Sequence, residues 1–493
     1  MPAAGATSVS DARSGWTPAD RMVLLALLVI AGARSLAIIL SPLELGVDEA
    51  QYWLWSTAFD FGYYTKPPLT SWIIGASHAV FGHHVWAVRL PAPWIHLATA
   101  LALWRAGFWL AGAGAGRWAA LLWTSLPAVA IGSFVISTDT PMLLFWSLGL
   151  LALVGGICGQ LPWRRAAMLA GAAFGAALLA KYAAIFGAVG LGLFVAVTRA
   201  RGKASLPVAD LCLFAIAMLL VASPNILWNM ANDLTTVRHL GDNANLDRQS
   251  YAPLNSLGFL AAQFATAGPV CFALMFGILR ARRGDDAGVL LLCLSVPVIG
   301  VIMLQAFLSE ANANWALAAM PALVLWLSRW IATGRNWPGA AALAVNGVIC
   351  LVLVAVTIAG SLGPLTPQSD PLRRLRGWQQ LADDTGAALA AHGAQTVVAD
   401  RRAAAALLSW HFHESGISVL IHDADGIPSN HFETNAAWTP RPGRRLVALN
   451  GSAEPPGMPD IAWNSVGTAP VSDTPISRKR NRTLYLHSGI ESD

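Results

Sequence analysis

Leu43–Trp72 reads LELGVDEAQYWLWSTAFDFGYYTKPPLTSW. It sets Glu44, Asp48, Glu49, Asp60 and Lys66 among Tyr52, Trp53, Trp55, Tyr63, Tyr64 and Trp72. An apolar run long enough to cross a bilayer, Met22–Leu40, precedes it, and a second apolar run follows it. The stretch is therefore a polar loop between two membrane helices, and it decides the fold. Carboxylates, one lysine and a dense aromatic set at a membrane boundary suit a substrate that is part lipid and part polar. A plain connection between helices needs none of these groups, so the stretch is read as the active-site loop of a membrane enzyme.

The rest of the chain agrees with that placement. Of its 493 residues, 55% are hydrophobic and 12% charged, and the mean hydropathy is +0.53. Soluble domains carry about 25% charged residues, so repeated apolar runs make this a polytopic α-helical membrane protein. Met22–Leu40 follows no basic stretch and no small-residue cleavage site follows it, so it reads as a retained helix rather than a removed signal. The formal charge of +5 sits in short loops, not on one face, which argues against nucleic acid. Cys158, Cys212, Cys271, Cys293 and Cys350 fall in or beside apolar runs and imply no disulfide framework. Only Lys66, Lys181, Lys203 and Lys479 are lysines. Alanine richness with arginine in place of lysine points to a high-GC bacterial source.

The hydropathy pattern predicts about eleven spans, over 22–40, 86–110, 117–135, 141–157, 166–180, 183–198, 206–227, 256–279, 288–307, 312–331 and 339–360. Arg105 and Arg117, Arg164 and Arg165, Arg199, Arg201 and Lys203, Arg280, Arg282 and Arg283, and Arg329 and Arg335 flank alternate turns. The positive-inside rule makes those turns cytoplasmic. Arginines at both ends of 166–197 require a turn between them, at Lys181. The expected organisation is a cytoplasmic tail, 1–21, a membrane-embedded catalytic domain, 22–360, and a soluble domain, 361–493, outside. The outer segments are 41–85, 136–140, the turn at Lys181, 228–255 and 308–311. Pro67–Phe81 is too short to span and reads as an interfacial helix. Beyond 361, Pro371–His392 and Arg401–Trp410 have helical spacing. Thr396–Ala399, Ile417–Ile421, Arg445–Leu449 and Thr483–Leu486 read as strands, giving a small α/β domain.

Asp48 and Glu49 are the candidate catalytic residues. Adjacent residues cannot point the same way, so one can face a reacting hydroxyl while the other fixes the loop. Both could instead be the acidic start of a helix. Lys66, stiffened by Pro67 and Pro68, is a compact cation for a phosphate, or a lysine reaching lipid headgroups. Lys181 and Arg238 are further phosphate candidates. Tyr52, Tyr63 and Tyr64 are candidate substrate contacts or interfacial belt residues. Asp139, in the STDTP turn, is a site candidate or a helix cap. Asn229 and His239 could meet a sugar, as could Glu310 and Asn314 in SEANANW. His411, His413 and Glu414 make a weak metal motif. The chain shows no glycine-rich nucleotide loop.

The ordered set VDEAQYW, YYTKPPLTSW, RLPAPW, STDTPMLLFW, LLAKYAAIF, SPNILWN and ANANWALAAMPAL resembles bacterial members of glycosyltransferase family 39. These are relatives of the protein O-mannosyltransferases and of the lipid A aminoarabinose transferase. The resemblance covers about residues 20–330. It implies a GT-C fold, an active site facing the periplasm of a bacterial inner membrane and a polyprenyl-phosphate sugar donor. The acceptor would be lipid A or another surface glycan, a lipid or a protein. Asp48 then matches the catalytic acidic residue of the first loop and Lys66 the position that meets donor phosphate. Thr65 departs from the acidic residue that the aminoarabinose transferases carry there, so a divalent metal stays open. The implied reaction is one displacement with inversion. The competing readings are a transporter or flippase for lipid-linked sugars, and a surface polysaccharide polymerase or ligase. A transporter would gather its ionisable residues near the midplane between repeats, whereas here they gather at one surface.

Overall fold

The structure, a computed structural model, describes residues 16–203, 206–236, 238, 241, 251–278, 284–363, 365, 369–423, 426, 428–452, 454–458, 461–463, 470–471 and 484–491. The first membrane helix, α1 (Pro18–Leu40), starts at a reciprocal cap. The Asp20 amide donates to Thr17 Oγ1, and the Thr17 amide donates to the Asp20 carboxylate. The loop after it folds into three short helices, α2 (Val47–Ser56), α3 (Leu69–Phe81) and α4 (Val85–Arg89). α3 is the expected short apolar helix, and it begins directly after Pro67–Pro68.

The bundle continues through α5 (Pro91–Ser125), α6 (Pro127–Phe134), α7 (Asp139–Ile157), α8 (Trp163–Leu178), α9 (Ile185–Ala200) and α10 (Val208–Ala231). After it come α11 (Pro253–Ala267), α12 (Pro269–Ile278), α13 (Asp286–Cys293), α14 (Val296–Leu308), α15 (Met320–Thr333) and α16 (Trp337–Ala359). Among the described residues seven stretches are long and apolar enough to cross a membrane. An eighth is added if 253–267 and 269–277, bent by 114°, count as one.

The remaining expected spans, 86–110, 117–135 and 166–180, are helical but interrupted or short. α5 breaks at Ala111–Gly112, where Gly112 takes φ 80°. The chain doubles back there, and Gly107 lies against Ala115 while Gly116 lies against Trp104. Pro127 restarts the second arm as α6, and α8 has 16 residues. The first part of 312–331 winds as a 3₁₀ helix over Ala313–Ala319. α10 runs on to Ala231, so Trp228 and Asn229 belong to a helix and not to the loop expected over 228–255. One large core, with Leu103, Trp123, Trp146, Phe174 and Leu323 at its centre, joins these helices. At one end, ion pairs Arg117–Asp20, Lys203–Asp286 and Arg329–Asp285 tie neighbouring turns together.

The C-terminal residues form a mixed sheet of β1 (Thr396–Ala399), β2 (Ser418–Ile421), β3 (Arg445–Asn450), β4 (Ile461–Trp463), β5 (Pro470–Val471) and β6 (Leu484–Glu491). The order is β2-β1-β3-β6-β4, with β5 also on β6. β1 runs parallel to β2 and β3, and β6 antiparallel to β3, β4 and β5. Helices α17 (Trp378–Ala391), α18 (Arg402–His411) and α19 (His431–Asn435) accompany it. Four strands stand where the alternation predicts them. β4 and β5, of three and two residues, are too short to show a period.

This domain shares its core with the first loop. Leu45, Trp53, Trp55, Tyr63 and Ile74 pack in one cluster with Trp378, Leu407, Trp410, Val447 and Leu486. The join is tight at Gly360, which has φ 64° and lies where a Cβ would run into the Pro42 ring.

Candidate active site

The loop opens on α2, and Asp48 and Glu49 leave its first turn in different directions. Glu49 is 1% exposed and paired with Arg89, itself 2% exposed. Arg89 Nε and Nη2 donate to Glu49 Oε1 and Oε2 at 2.9 and 2.7 Å. The same carboxylate accepts from the amides of Gly46 (2.9 Å) and Ile136 (3.1 Å). Arg89 also donates to the carbonyls of Leu43 (3.0 Å) and Glu44 (2.7 Å). Every bond Glu49 makes is therefore internal, and the residue pins the loop to α4 and to the turn before α7.

Asp48 faces outward, with its side chain 66% exposed. Oδ1 accepts from both terminal nitrogens of Arg402 at 3.1 Å, while the other oxygen has no partner among the described residues. Arg402 also donates to Gln51, one turn along α2. A carboxylate held by one oxygen and open at the other is oriented for proton transfer. Arg402 comes from the C-terminal domain. Nothing in its local sequence, DRRAAAALLSW, marks it. Only the docking of α18 on α2 brings it to Asp48.

Lys66 sits in the turn before α3, partly buried, where its amine has no hydrogen-bond or ion-pair partner among the described residues. Burial, and then the Lys181 ammonium, hold its pKa below the ordinary lysine value, while Asp48 and Asp139 pull the other way. Lys181 Nζ donates to Asp139 Oδ1 at 2.7 Å, and Asn314 Nδ2 donates to Asp139 Oδ2 at 2.9 Å. Residues 48, 66, 139, 181, 314 and 402, drawn from six parts of the chain, therefore form one polar patch. Asp139 and Asn314 also line a cavity of ≈ 460 Å³ whose other walls include Val129, Ile131, Leu143, Ala262 and Leu317. A largely apolar pocket thus adjoins the Asp139 that Lys181 holds.

The other sequence candidates divide. Tyr63 is a clasp: its hydroxyl donates to the Trp55 carbonyl at 2.8 Å, its ring stacks on Trp55 at 4.9 Å, and burial pushes its pKa up to about 12. Tyr64 donates to the Pro428 carbonyl at 3.0 Å. Tyr52 is buried beside Trp55, and burial raises its pKa well above the usual tyrosine range. Asn229 donates to Tyr182 (3.0 Å) and to the Asn225 carbonyl (3.0 Å), and Asn225 donates to the Phe61 carbonyl (2.8 Å). These asparagines hold the loop from below, as does Gly62, where a Cβ would meet Trp228. Arg238 and Glu310 are exposed. His239 lies outside the described residues. His411, His413 and Glu414 do not act as one motif. His411 is turned into the domain, where burial lowers its pKa, and His413 faces the first loop.

Sequence reasoning missed Arg89, Gln51 and Arg402. Arg89 left a signal, a cation just ahead of the helix-starting prolines in RLPAPW, on the side opposite the arginine clusters.

A helical membrane bundle whose first loop carries carboxylate and lysine beside an apolar cavity, closed by a small α/β domain, is the GT-C transferase architecture. The fold matches that of ArnT from Cupriavidus metallidurans, apo, with a TM-score of 0.64 at 13% identity, covering 96% of this chain and 98% of that one. The same protein bound to undecaprenyl phosphate gives a TM-score of 0.63 at 13% identity, with the same coverage. The profile of the family described as dolichyl-phosphate-mannose-protein mannosyltransferase matches residues 65–228. The lipid A galacturonosyltransferase RgtD of Rhizobium johnstonii is 34% identical over 405 residues, 79% of this chain and 82% of that protein. The chain belongs to glycosyltransferase family 39. It is a membrane glycosyltransferase.

Proposed function

We propose that this enzyme moves a sugar from a polyprenyl-phosphate donor to a hydroxyl of a lipid acceptor of the lipid A type. The transfer takes place at the outer face of a bacterial inner membrane. The observation that carries the reading is the polar patch itself: Asp48, open at one oxygen, shares it with Lys66 and Lys181, and the Asp139 and Asn314 of the same patch line an apolar cavity. A polyprenyl phosphate needs both an apolar channel and cations, and the patch offers them side by side. The relative RgtD, named a lipid A galacturonosyltransferase, makes lipid A the first acceptor to try and a hexuronic acid the first sugar.

The chemistry follows from the geometry. The free Asp48 oxygen takes the proton of the acceptor hydroxyl as that oxygen bonds to the anomeric carbon. The bond from that carbon to the phosphate oxygen breaks, and the electron pair leaves with the polyprenyl phosphate. Lys66 and Lys181 stabilise the charge that gathers there. Arg402 orients the base, and Asp139 with Asn314 orients Lys181. One displacement inverts the anomeric centre. Burial and the Lys181 ammonium disfavour the Lys66 ammonium, a cost that a phosphate anion beside it offsets.

Lys66→Arg keeps the charge but replaces a compact ammonium with a wide planar fork. Lys66→Met removes the charge. In initial-rate measurements against donor concentration, Lys66→Met is expected to lose about 10–100-fold in kcat/KM, and Lys66→Arg less. Equal constants for wild type and Lys66→Met would leave Lys66 as an interfacial anchor.

The sidedness rests on the arginine clusters. A reporter fused after Arg201 should read cytoplasmic and one at Gly393 periplasmic. A cytoplasmic reading at Gly393 would place the docked α/β domain, and the site with it, on the wrong side for this proposal.

A further inference from the structure

Three histidines from two distant parts of the chain meet where the first loop touches the C-terminal domain. His78 is in the last turn of α3, His83 follows Gly82, and His413 lies just past the end of α18. One ring nitrogen from each lies within 4.8 Å of the other two. His78 Nε2 and His83 Nδ1 are 3.3 Å apart, and the ring centroids of His83 and His413 are 4.6 Å apart. No sequence motif links them, and none of the three takes part in the polar patch around Asp48.

We propose that these histidines form a divalent transition-metal site of the zinc class that staples the C-terminal domain to the first loop. A tetrahedral ion with metal–nitrogen bonds of about 2.0–2.1 Å sets its ligand nitrogens ~3.3 Å apart. The His78–His83 pair already has that spacing, and the other separations, up to 4.8 Å, close by about 1.5 Å or less through side-chain movement.

The environment of His83 is that of a ligand. Its Nε2 lies 3.1 Å from the Trp410 carbonyl, which can only accept, so Nε2 carries the proton and Nδ1 presents its lone pair to the cluster. A backbone carbonyl fixing the tautomer in this way is the usual outer support of a metal-bound imidazole. The ring is clamped by stacking on Trp410 at 3.7 Å, and Trp53 meets it edge-on at 5.1 Å. Burial, followed by the neighbouring His413, brings the His83 pKa down to about 4, and burial lowers that of His78 as well. The Glu414 carboxylate, 3.6 Å from His413 Nε2, adds negative charge to the neighbourhood.

The position gives the site its consequence. Trp53 lies on α2, five residues past Asp48, and Trp410 lies on α18, eight past Arg402. An ion held there fixes the same α2–α18 contact that sets Arg402 against Asp48, without touching the reacting groups.

The test uses full-length, tag-free protein in detergent, stripped with a chelator and then desalted after exposure to zinc. Wild type is expected to retain one zinc per chain by elemental analysis. Cobalt in its place should give the visible absorption of a tetrahedral nitrogen site. His83→Gln should lower zinc affinity by at least about 10–100-fold, and the triple His78→Gln/His83→Gln/His413→Gln should retain none. Zinc should also slow proteolytic separation of the C-terminal domain in wild type and not in the triple variant. Retention of no zinc by wild type overturns the site, and so does equal retention by the triple variant. If the triple variant does not fold, His413→Asn alone carries the same comparison. Metal content and proteolysis are read without turnover, so either result stands apart from the sugar-transfer assignment.

Discussion

Asp48→Asn is expected to lower turnover by about 10²–10⁴-fold, the range for loss of a general base. The substitution is nearly isosteric, and the amide oxygen of the substituted side chain can still accept from Arg402 and preserve the α2–α18 contact. What changes is the second oxygen, which becomes an NH₂ with no lone pair for a proton. Donor binding should fall far less, because Lys66, Lys181 and the cavity are untouched. Initial rates at saturating donor, with donor affinity measured separately, check both parts. A folded Asp48→Asn protein that transfers sugar at the wild-type rate removes Asp48 from the catalytic role.

Glu49→Ala should act quite differently, by unfolding the loop. It strands the Arg89 guanidinium at 2% exposure and frees the amides of Gly46 and Ile136. Breaking one side of a buried ion pair costs about 3–5 kcal/mol, because the remaining charge has no water to return to. Thermal unfolding in detergent should show a large drop for Glu49→Ala and for Arg89→Ala, and almost none for Asp48→Asn. The double variant Glu49→Gln/Arg89→Met, which removes both charges, should recover part of the loss. If Glu49→Gln instead melts with wild type but does not turn over, Glu49 belongs to the chemistry and not to the scaffold.

These two neighbours show how far the sequence could be read. Adjacency alone establishes that Asp48 and Glu49 diverge from the first turn of α2, so one of them is free for chemistry and one for structure. It does not say which. The choice depends on where Arg89 lies, 40 residues on, and on Ile136, 87 residues on. In the same way Lys181 reads as a turn residue on the site's side, but its partner Asp139 is 42 residues away, and Asn314 lies 175 residues beyond Asp139. Asn229 and Tyr63 look like free polar groups in a loop, and the tertiary contacts occupy the Asn229 amide nitrogen and the Tyr63 hydroxyl.

By itself the sequence determined what depends on local composition and period. It set the membrane class, the positions of most helices, four strands of the small sheet and the loop where carboxylate, lysine and aromatic residues concentrate. Those properties follow from hydropathy over some twenty residues and from side-chain alternation, which neighbours along the chain supply. Tertiary structure alone decided that the C-terminal domain is part of the site's wall and not an appendage. Arg402 reaches Asp48 across 354 positions, and Trp410 meets Trp53 at 4.8 Å. The Glu44 carboxylate accepts from the Trp378 amide at the start of α17 at 2.6 Å. Each side of that interface reads alone as an ordinary helix with a few polar residues. The reason those residues are there appears only when burial of one apolar face against the other brings the charges into range.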